Sequence, residues 1–321
     1  MSQISIATVD YNDFVSGNPE KKAAFIKKIG DAFAEIGFAI VANHGVAAHL
    51  KNNLFNTSKS FFALDDETKQ KYEDTAIAGQ RGYIAKNKES AKGRSTPDLK
   101  EYYHIGQEVM DGDPIKNEYP DNIWAEEVPD LEKYGLEVYK TLENTGRNLL
   151  RAIALYLELE EDYFDQKIHN GNSILRLLHY YPIEDISNVP KDAVRAAAHE
   201  DINLITLLMG ASAKGLQAKT LEGEWIDVSP EPNQIVINMG DMLQRLTNGK
   251  LRSTSHQVIC PDPELLKTAR YSMPFFLHPR SDMDLTCLPS TVDEAHPKQF
   301  SDMTAGEYLQ ERLVELGLKK K

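Results

Sequence analysis

His199, Glu200 and Asp201 stand just before a run of β-forming residues at 204–209. In an extended chain, positions i and i+2 point to the same side. The His199 imidazole and the Asp201 carboxylate can therefore grip one metal ion together. His256 lies in a second alternating run, 252–259, after the turn Thr247-Asn248-Gly249. Two histidines and one carboxylate on a common face are the ligand set of non-haem Fe(II), which leaves positions open for O2 and an organic chelator. Such chemistry needs neutral imidazoles and an ionised Asp201. A His-x-Asp pair alone is also what a surface strand would show, so it gains weight only from its company.

Arg270 and Ser272 supply that company. In a strand at 269–277 they share one face with Pro274 and Phe276. An arginine can hold a carboxylate by a forked charge-assisted pair, and a neighbouring serine adds one hydroxyl bond. Phe276 reads equally as a lining of the substrate pocket or as core. A further run, 174–181, places His179 and Tyr181 on the face of Leu175 and Leu177. Two polar tips on a buried strand need partners, and a bound acid would provide them.

These side chains require a β framework. Between 173 and 277 the chain reads as short β-rich runs at 174–181, 204–209, 215–219, 225–228, 234–239, 252–259 and 269–277, punctuated by Gly, Pro and Asn. That pattern predicts an antiparallel sandwich or barrel. No helix of crossover length separates the runs, so parallel βαβ units are not expected. Upstream the pattern is helical. Asn18-Pro19 predicts a cap and a proline in the first turn, followed by Phe25, Ile29, Phe33 and Ile36 at helical spacing and Gly37 as the stop. Residues 38–41 read as a strand. Helices follow at about 46–64 and 131–159, with a short acidic start at Asp65-Asp66-Glu67 between them. His44 and Asp241 read as turn residues. Thr304-x-x-Glu307 predicts a capping box for a helix near 304–317.

The expected fold class is thus mixed α/β: an all-β core with a helical cover. Length alone, at roughly 150 residues per domain, suggests two domains for 321 residues. Asn170-Gly171-Asn172 is a turn and not a linker, so we expect one unit over 1–321. Its parts are a mainly helical region at 1–170, the β core at 171–280, and a tail and helix at 281–321.

Composition removes whole classes. Lys and Arg number 36 against 49 Asp and Glu, a net charge of −13, which disfavours nucleic acid and anionic membranes as partners. No apolar run reaches membrane-spanning length, and the N-terminus lacks a signal peptide's basic start. Cys260 and Cys287 cannot build a disulfide framework, so cytoplasmic residence is the expectation. GxGxxG, GxxxxGK[ST], GxSxG, HExxH and CxxC motifs are all absent, which leaves dinucleotide-binding, P-loop, serine-hydrolase and zinc-protease readings without support.

In this order the motifs resemble the isopenicillin N synthase-like Fe(II)/2-oxoglutarate-dependent oxygenases. The resemblance spans nearly the whole chain. It rests on Phe33-x-x-Ile36-Gly37-Phe38, Asn43-His44-Gly45-Val46, His179-Tyr180-Tyr181-Pro182, His199-x-Asp201 and Gly215-Leu216-Gln217. It continues through Trp225-Ile226-Asp227-Val228, Asn238-Met239-Gly240-Asp241, Thr247-Asn248-Gly249, His256 and Arg270-x-Ser272.

The resemblance implies a distorted double-stranded β-helix of jelly-roll type. It implies iron held by His199, Asp201 and His256, and 2-oxoglutarate held through its distal carboxylate by Arg270 and Ser272, with help from Tyr181. His179 stands where plant relatives often carry Asn. The implied reaction is a dioxygenase oxidation of a C–H bond in a small organic substrate (hydroxylation, desaturation or cyclisation), with O2 as co-substrate and release of succinate and CO2. The segment 78–100 covers the active-site mouth in relatives, which nominates Arg81, Tyr83, Lys100 and Tyr103 as substrate contacts. An insert at 260–264 separates His256 from Arg270 and reads as a hairpin turn. Two other readings stay open: an isopenicillin N synthase-like Fe(II) oxidase that does not use 2-oxoglutarate, and a non-catalytic jelly-roll binding protein.

Overall fold

A computed structural model gives the fold. It describes residues 5–77, 79–86, 88, 99–185, 195–210, 215–260 and 263–315. Strand β1 (Ala7–Asp10) and helix α1 (Tyr11–Val15) lead into α2 (Pro19–Glu35). The Asn18 side chain accepts from the Glu20 and Lys21 amides at 3.0 and 3.1 Å, which caps α2 as expected. The chain turns at Gly37, where φ is 71° and a Cβ would sit 2.2 Å from the Arg252 carbonyl, so a residue with a side chain would clash there. Then come β2 (Phe38–Ala42), α3 (Ala48–Phe62), α4 (Asp66–Gln70), β3 (Gly82–Ile84) and β4 (Glu101–Gly106). The long helix α5 (Asp130–Tyr156) buries Leu131, Val138, Leu142, Leu149 and Ile153 along one stripe. A single turn, α6 (Asp165–Ile168), precedes the β core.

The core contains β5 (Ile174–Tyr180), β6 (Ala196–His199), β7 (Ile205–Met209), β8 (Leu216–Lys219), β9 (Trp225–Asp227) and β10 (Gln234–Met239). Helix α7 (Asp241–Leu246), β11 (His256–Val258), β12 (Arg270–Leu277) and α8 (Ala305–Glu315) complete it. At α8 the capping box forms in both directions: the Thr304 amide donates to Glu307 Oε2 at 2.7 Å, and the Glu307 amide donates to Thr304 Oγ1 at 3.2 Å. Pro261 and Asp262 of the insert, Gly and Lys-rich parts of 78–98, and 316–317 of the expected last helix lie outside the described residues.

Two sheets face each other. The larger runs β1-β2-β10-β7-β12-β5-β4-β3, and the smaller runs β6-β11-β8-β9. All pairs are antiparallel except β1 with β2, whose connection carries α1 and α2. Half of the larger sheet therefore comes from the region before residue 170, where only β2 was legible as a strand. Strand β4, Glu-Tyr-Tyr-His-Ile-Gly, escaped the sequence reading because it follows the polar segment 78–100.

Strand alternation sorts the large sheet into two faces. The outer face carries Tyr103, Ile105, Leu175, Leu177, Leu207, Ile237, Phe275 and Leu277, which form one core with α2, α3 and α5. Burying each large aliphatic side chain there contributes about 1.5–3 kcal/mol. The inner face looks across to the small sheet. Phe38, Ile40 and Val236 pack there against Ala196, Leu216, Ala218 and Val258.

Candidate active site

The inner face follows from the register. Arg270 pairs with Tyr180, Ser272 with Leu178, and Phe276 with both Ile174 and Thr206. Tyr102 pairs with Leu178, and His104 with Arg176. Thr206 in turn pairs with Asn238. Arg270, Ser272, Pro274 and Phe276 thus share a surface with Tyr180, Arg176, Thr206 and Asn238.

His199, Asp201 and His256 converge opposite this surface. One ligand atom from each lies within 4.8 Å of the others. His199 Nε2 and His256 Nε2 stand 3.8 and 3.9 Å from Asp201 Oδ1. Pairing of His256 with His199 across β11 and β6 brings the two rings to 4.4 Å. The remaining atoms are already committed. His199 Nδ1 lies 2.8 Å from the Ala197 carbonyl, and His256 Nδ1 lies 3.1 Å from the Thr254 carbonyl. A carbonyl only accepts, so each Nδ1 carries the proton and each Nε2 keeps its lone pair. Asp201 Oδ2 accepts from Thr206 Oγ1 at 2.5 Å and from Asn238 Nδ2 at 2.7 Å, leaving Oδ1 toward the histidines. The Phe38 ring packs edge-on against His256 at 5.6 Å.

Protonation agrees with this geometry. Burial, with His256 alongside, pushes His199 down to about 4, although one edge of its ring stays open to solvent. Burial alone would raise the Asp201 carboxyl, but the two histidines, Thr206 and Asn238 outweigh it and lower it. A neutral His199 imidazole beside an ionised Asp201 carboxylate fits the donor set that Fe(II) requires.

Arg270 is 1% exposed, and its Nε has no hydrogen-bond partner. One Nη lies 3.5 Å from Ser272 Oγ, and the guanidinium carbon is 4.9 Å from the centre of the Tyr180 ring. A buried cation with an unsatisfied N–H is costly unless an anion arrives. Arg270 and Ser272 therefore suit the distal carboxylate of an organic diacid.

His179 is not brought into this pocket. It shares a face with Leu175 and Leu177, and that face points to the helices. The acid expected beside His179 is a protein carboxylate: Glu101 Oε1 lies 2.8 Å from His179 Nδ1. The His179 ring stacks on Tyr271 at 4.7 Å, also on the outer face. Tyr181 follows the end of β5 and lies under Lys86 Nζ, 5.2 Å from its ring centre. The aromatic residue beside Arg270 is Tyr180, one position earlier.

The same alternation relocates the other candidates. Tyr83 donates to Glu101 Oε2 at 2.5 Å, and Tyr103 donates to the Ile123 carbonyl, so both are buried in the helical cover. Arg81 is fully buried, with its guanidinium over Gly106 where a side chain would collide. Phe276 does face the pocket. Beside it stands Arg176, missed by the sequence reading, with its guanidinium carbon 4.2 Å from the Tyr102 ring centre and 5.2 Å from that of Phe276. Arg176 Nε donates to His104 Nε2 at 2.7 Å, and His104 Nδ1 donates to the Gly79 carbonyl at 2.7 Å. His278 continues the Phe276 face; burial pushes it down to about 4, and Asp201 is near enough to oppose that shift. Counting by twos from Arg270 along β12, then across the register, would have found both residues.

A jelly roll with this triad and a buried arginine across from it defines a non-haem Fe(II) oxygenase that takes a 2-oxo acid. The comparisons with known proteins agree. Residues 6–127 match the family described as non-haem dioxygenase in morphine synthesis N-terminal, and residues 171–279 match the 2OG-Fe(II) oxygenase superfamily. Kihadalactone A synthase from Citrus sinensis is 33% identical over 331 aligned positions, covering 98% of this chain and 94% of the relative. Among solved structures, a Caulobacter crescentus protein described as a 2OG-Fe(II) oxygenase family member shares 40% identity at a TM-score of 0.88, covering 98% of this chain and all of that one. A full-length Neurospora crassa protein, solved in complex with alpha-KG, shares 30% identity at a TM-score of 0.86, covering 98% of this chain and 97% of that one. The chain belongs to the 2OG-Fe(II) oxygenase superfamily, within its isopenicillin N synthase-like group. It is a non-haem Fe(II) dioxygenase with 2-oxoglutarate and O2 as co-substrates.

Proposed function

We propose that His199, Asp201 and His256 hold the Fe(II), that Arg270 and Ser272 hold the distal carboxylate of 2-oxoglutarate, and that a small organic substrate is oxidised at a C–H bond against Phe276 and Arg176. When bound, iron with 2-oxoglutarate supplies oxidative decarboxylation coupled to O2 activation. The chain's own part is placement. Carbonyl-bound Nδ1 protons aim both Nε2 atoms at one point, and Thr206 with Asn238 turns Asp201 Oδ1 to the same point. Arg270 and Ser272 fix the far end of the co-substrate along β12. Arg176, its orientation set by His104 and Tyr102, presents a planar donor to a carboxylate or carbonyl of the substrate.

The observation that carries this reading is the buried Arg270 with an unpartnered Nε on the face opposite the triad. The test is anaerobic titration of the Fe(II)-loaded protein with 2-oxoglutarate, followed by its visible absorption, together with uncoupled succinate release. Wild type should show both. R270A should weaken 2-oxoglutarate binding about a hundredfold, in line with loss of a buried charge pair, and an unchanged affinity sinks the assignment. R176M should keep uncoupled succinate formation but lose stimulation by substrates found in a metabolite screen. The same screen identifies the substrate. A single unit over 1–321 remains our reading, supported by strands from both halves in one sheet. Cytoplasmic residence and the lack of a nucleic-acid or membrane partner are likewise our reading. They are supported by the net charge of −13 and by a count of only two cysteines, which form no disulfide.

A further inference from the structure

A second buried cation stands beside Arg270. Arg195 precedes β6 and is 2% exposed. Its Nη2 donates to the Leu265 carbonyl at 2.8 Å. Its guanidinium carbon lies 5.9 Å from the centre of the Tyr180 ring, the ring that Arg270 approaches to 4.9 Å. Burial lowers the pKa of Arg195; the Cys260 thiol and the Tyr180 hydroxyl act against that, and the charge of Arg270 acts with it. Neither arginine has a carboxylate within ion-pair distance among the described residues, where arginine ion pairs are those of Arg151, Arg280 and Arg312.

Two like charges buried around one aromatic ring, with no carboxylate within ion-pair distance among the described residues, repel each other at low dielectric. The faces of Tyr180 offset part of this through cation–π attraction. A carboxylate arriving at Arg270 would offset far more, because it is attracted by both cations at once. We propose that Arg195 is a second cation for the distal carboxylate of the co-substrate. Arg270 makes the direct pair, and Arg195 adds the potential that selects a dicarboxylic 2-oxo acid over a monocarboxylic one. This inference rests on the 2-oxoglutarate subsite proposed above and assigns a role to Arg195 that the subsite alone does not require. A purely structural Arg195 would only tie β6 to the turn at 263–267 through Leu265.

The two roles separate in a binding experiment. Mn(II)-loaded protein is titrated calorimetrically with 2-oxoglutarate and with 2-oxovalerate, which has the same chain length but no distal carboxylate. R195M should raise the Kd for 2-oxoglutarate about tenfold and leave that for 2-oxovalerate within about twofold. R195K, which restores the charge, should recover most of the loss. Equal losses for both acids, or an unchanged 2-oxoglutarate Kd, overturn the proposal. Should R195M fail to fold, R195Q retains a donor for Leu265 without the charge and carries the same comparison. A wild-type protein that does not distinguish the two acids would instead overturn the subsite at Arg270 itself.

Discussion

At the scale of single residues, each side chain proposed as a ligand has a partner behind it. Asp201 would be free to rotate without Thr206 and Asn238; with them, one oxygen is occupied and the other is aimed. T206V keeps the volume and removes the hydroxyl. It should weaken Mn(II) or Fe(II) binding about ten- to hundredfold while the circular dichroism spectrum stays that of wild type. An unchanged metal affinity would mean that Asn238 alone orients the carboxylate. The triad was legible because His199-x-Asp201 and His256 stand in the company of Arg270-x-Ser272 on successive β-runs. Thr206 was not, since a threonine in a strand carries no signal until Asp201 is seen beside it.

At the scale of elements, β4 and β5 show what a one-residue difference in facing does. Glu101 on β4 accepts from Lys69 of α4 at 2.9 Å, from Tyr83 of β3, and from His179 of β5. Lys69 and Glu101 are both buried. The cluster fastens the helical cover to the outer face of the sheet, directly behind the strand that carries Tyr180. Burial alone would raise the Glu101 carboxyl, but His179, Tyr83 and Lys69 together bring it below the usual range. A folded pKa below the unfolded value of about 4.3 gives stability that is fully present above that pH. It is lost as the pH falls through the folded value. The wild-type melting temperature should therefore drop below about pH 4. E101Q should be less stable at neutral pH by about 1–3 kcal/mol, because the buried Lys69 keeps only the exposed Asp66, 2.9 Å away, as its charged partner, and should show a flatter acid limb. Calorimetry between acid and neutral pH checks both. At α2, N18A should cost about 1 kcal/mol, read as a lower denaturant midpoint.

At the scale of the whole molecule, the larger sheet is assembled from both halves of the chain. Strands β1 to β4 extend a sheet whose centre comes from the β core, and β2 carries Phe38 to His256. The loop leading to His256 is held from the same side: Thr254 Oγ1 donates to the Ile36 carbonyl at 2.8 Å, and the Arg252 amide donates to the Phe33 carbonyl. The N-terminal region thus positions His256, the proposed metal ligand, as well as covering the barrel. With a core of this extent the fold should not depend on metal. Protein stripped with EDTA should keep its far-ultraviolet spectrum and melt about 5 °C lower, recovering when Mn(II) is added well above its Kd. Collapse of the spectrum on stripping would show that the triad is needed to close the two sheets.

Sequence alone was enough to name the class of chemistry and the class of architecture. His199, Asp201, His256, Arg270 and Ser272 are nominated by residue type together with the order of the motifs around them, and turn punctuation at short intervals announces antiparallel strands. The helix ends at Asn18, Gly37 and Thr304 follow from local capping, which needs no distant partner. Tertiary structure decided which side of each strand faces the pocket. Alternation gives two faces but does not say which one is inward when both are buried. On β5 both are, so Leu175 and Leu177 carried His179 with them to the helices, while Arg176 and Tyr180 turned to the site. The partners of buried charges were decided there too, because Glu101 meets Lys69 and His179, and Arg195 nears Arg270, only once strands far apart in sequence lie side by side.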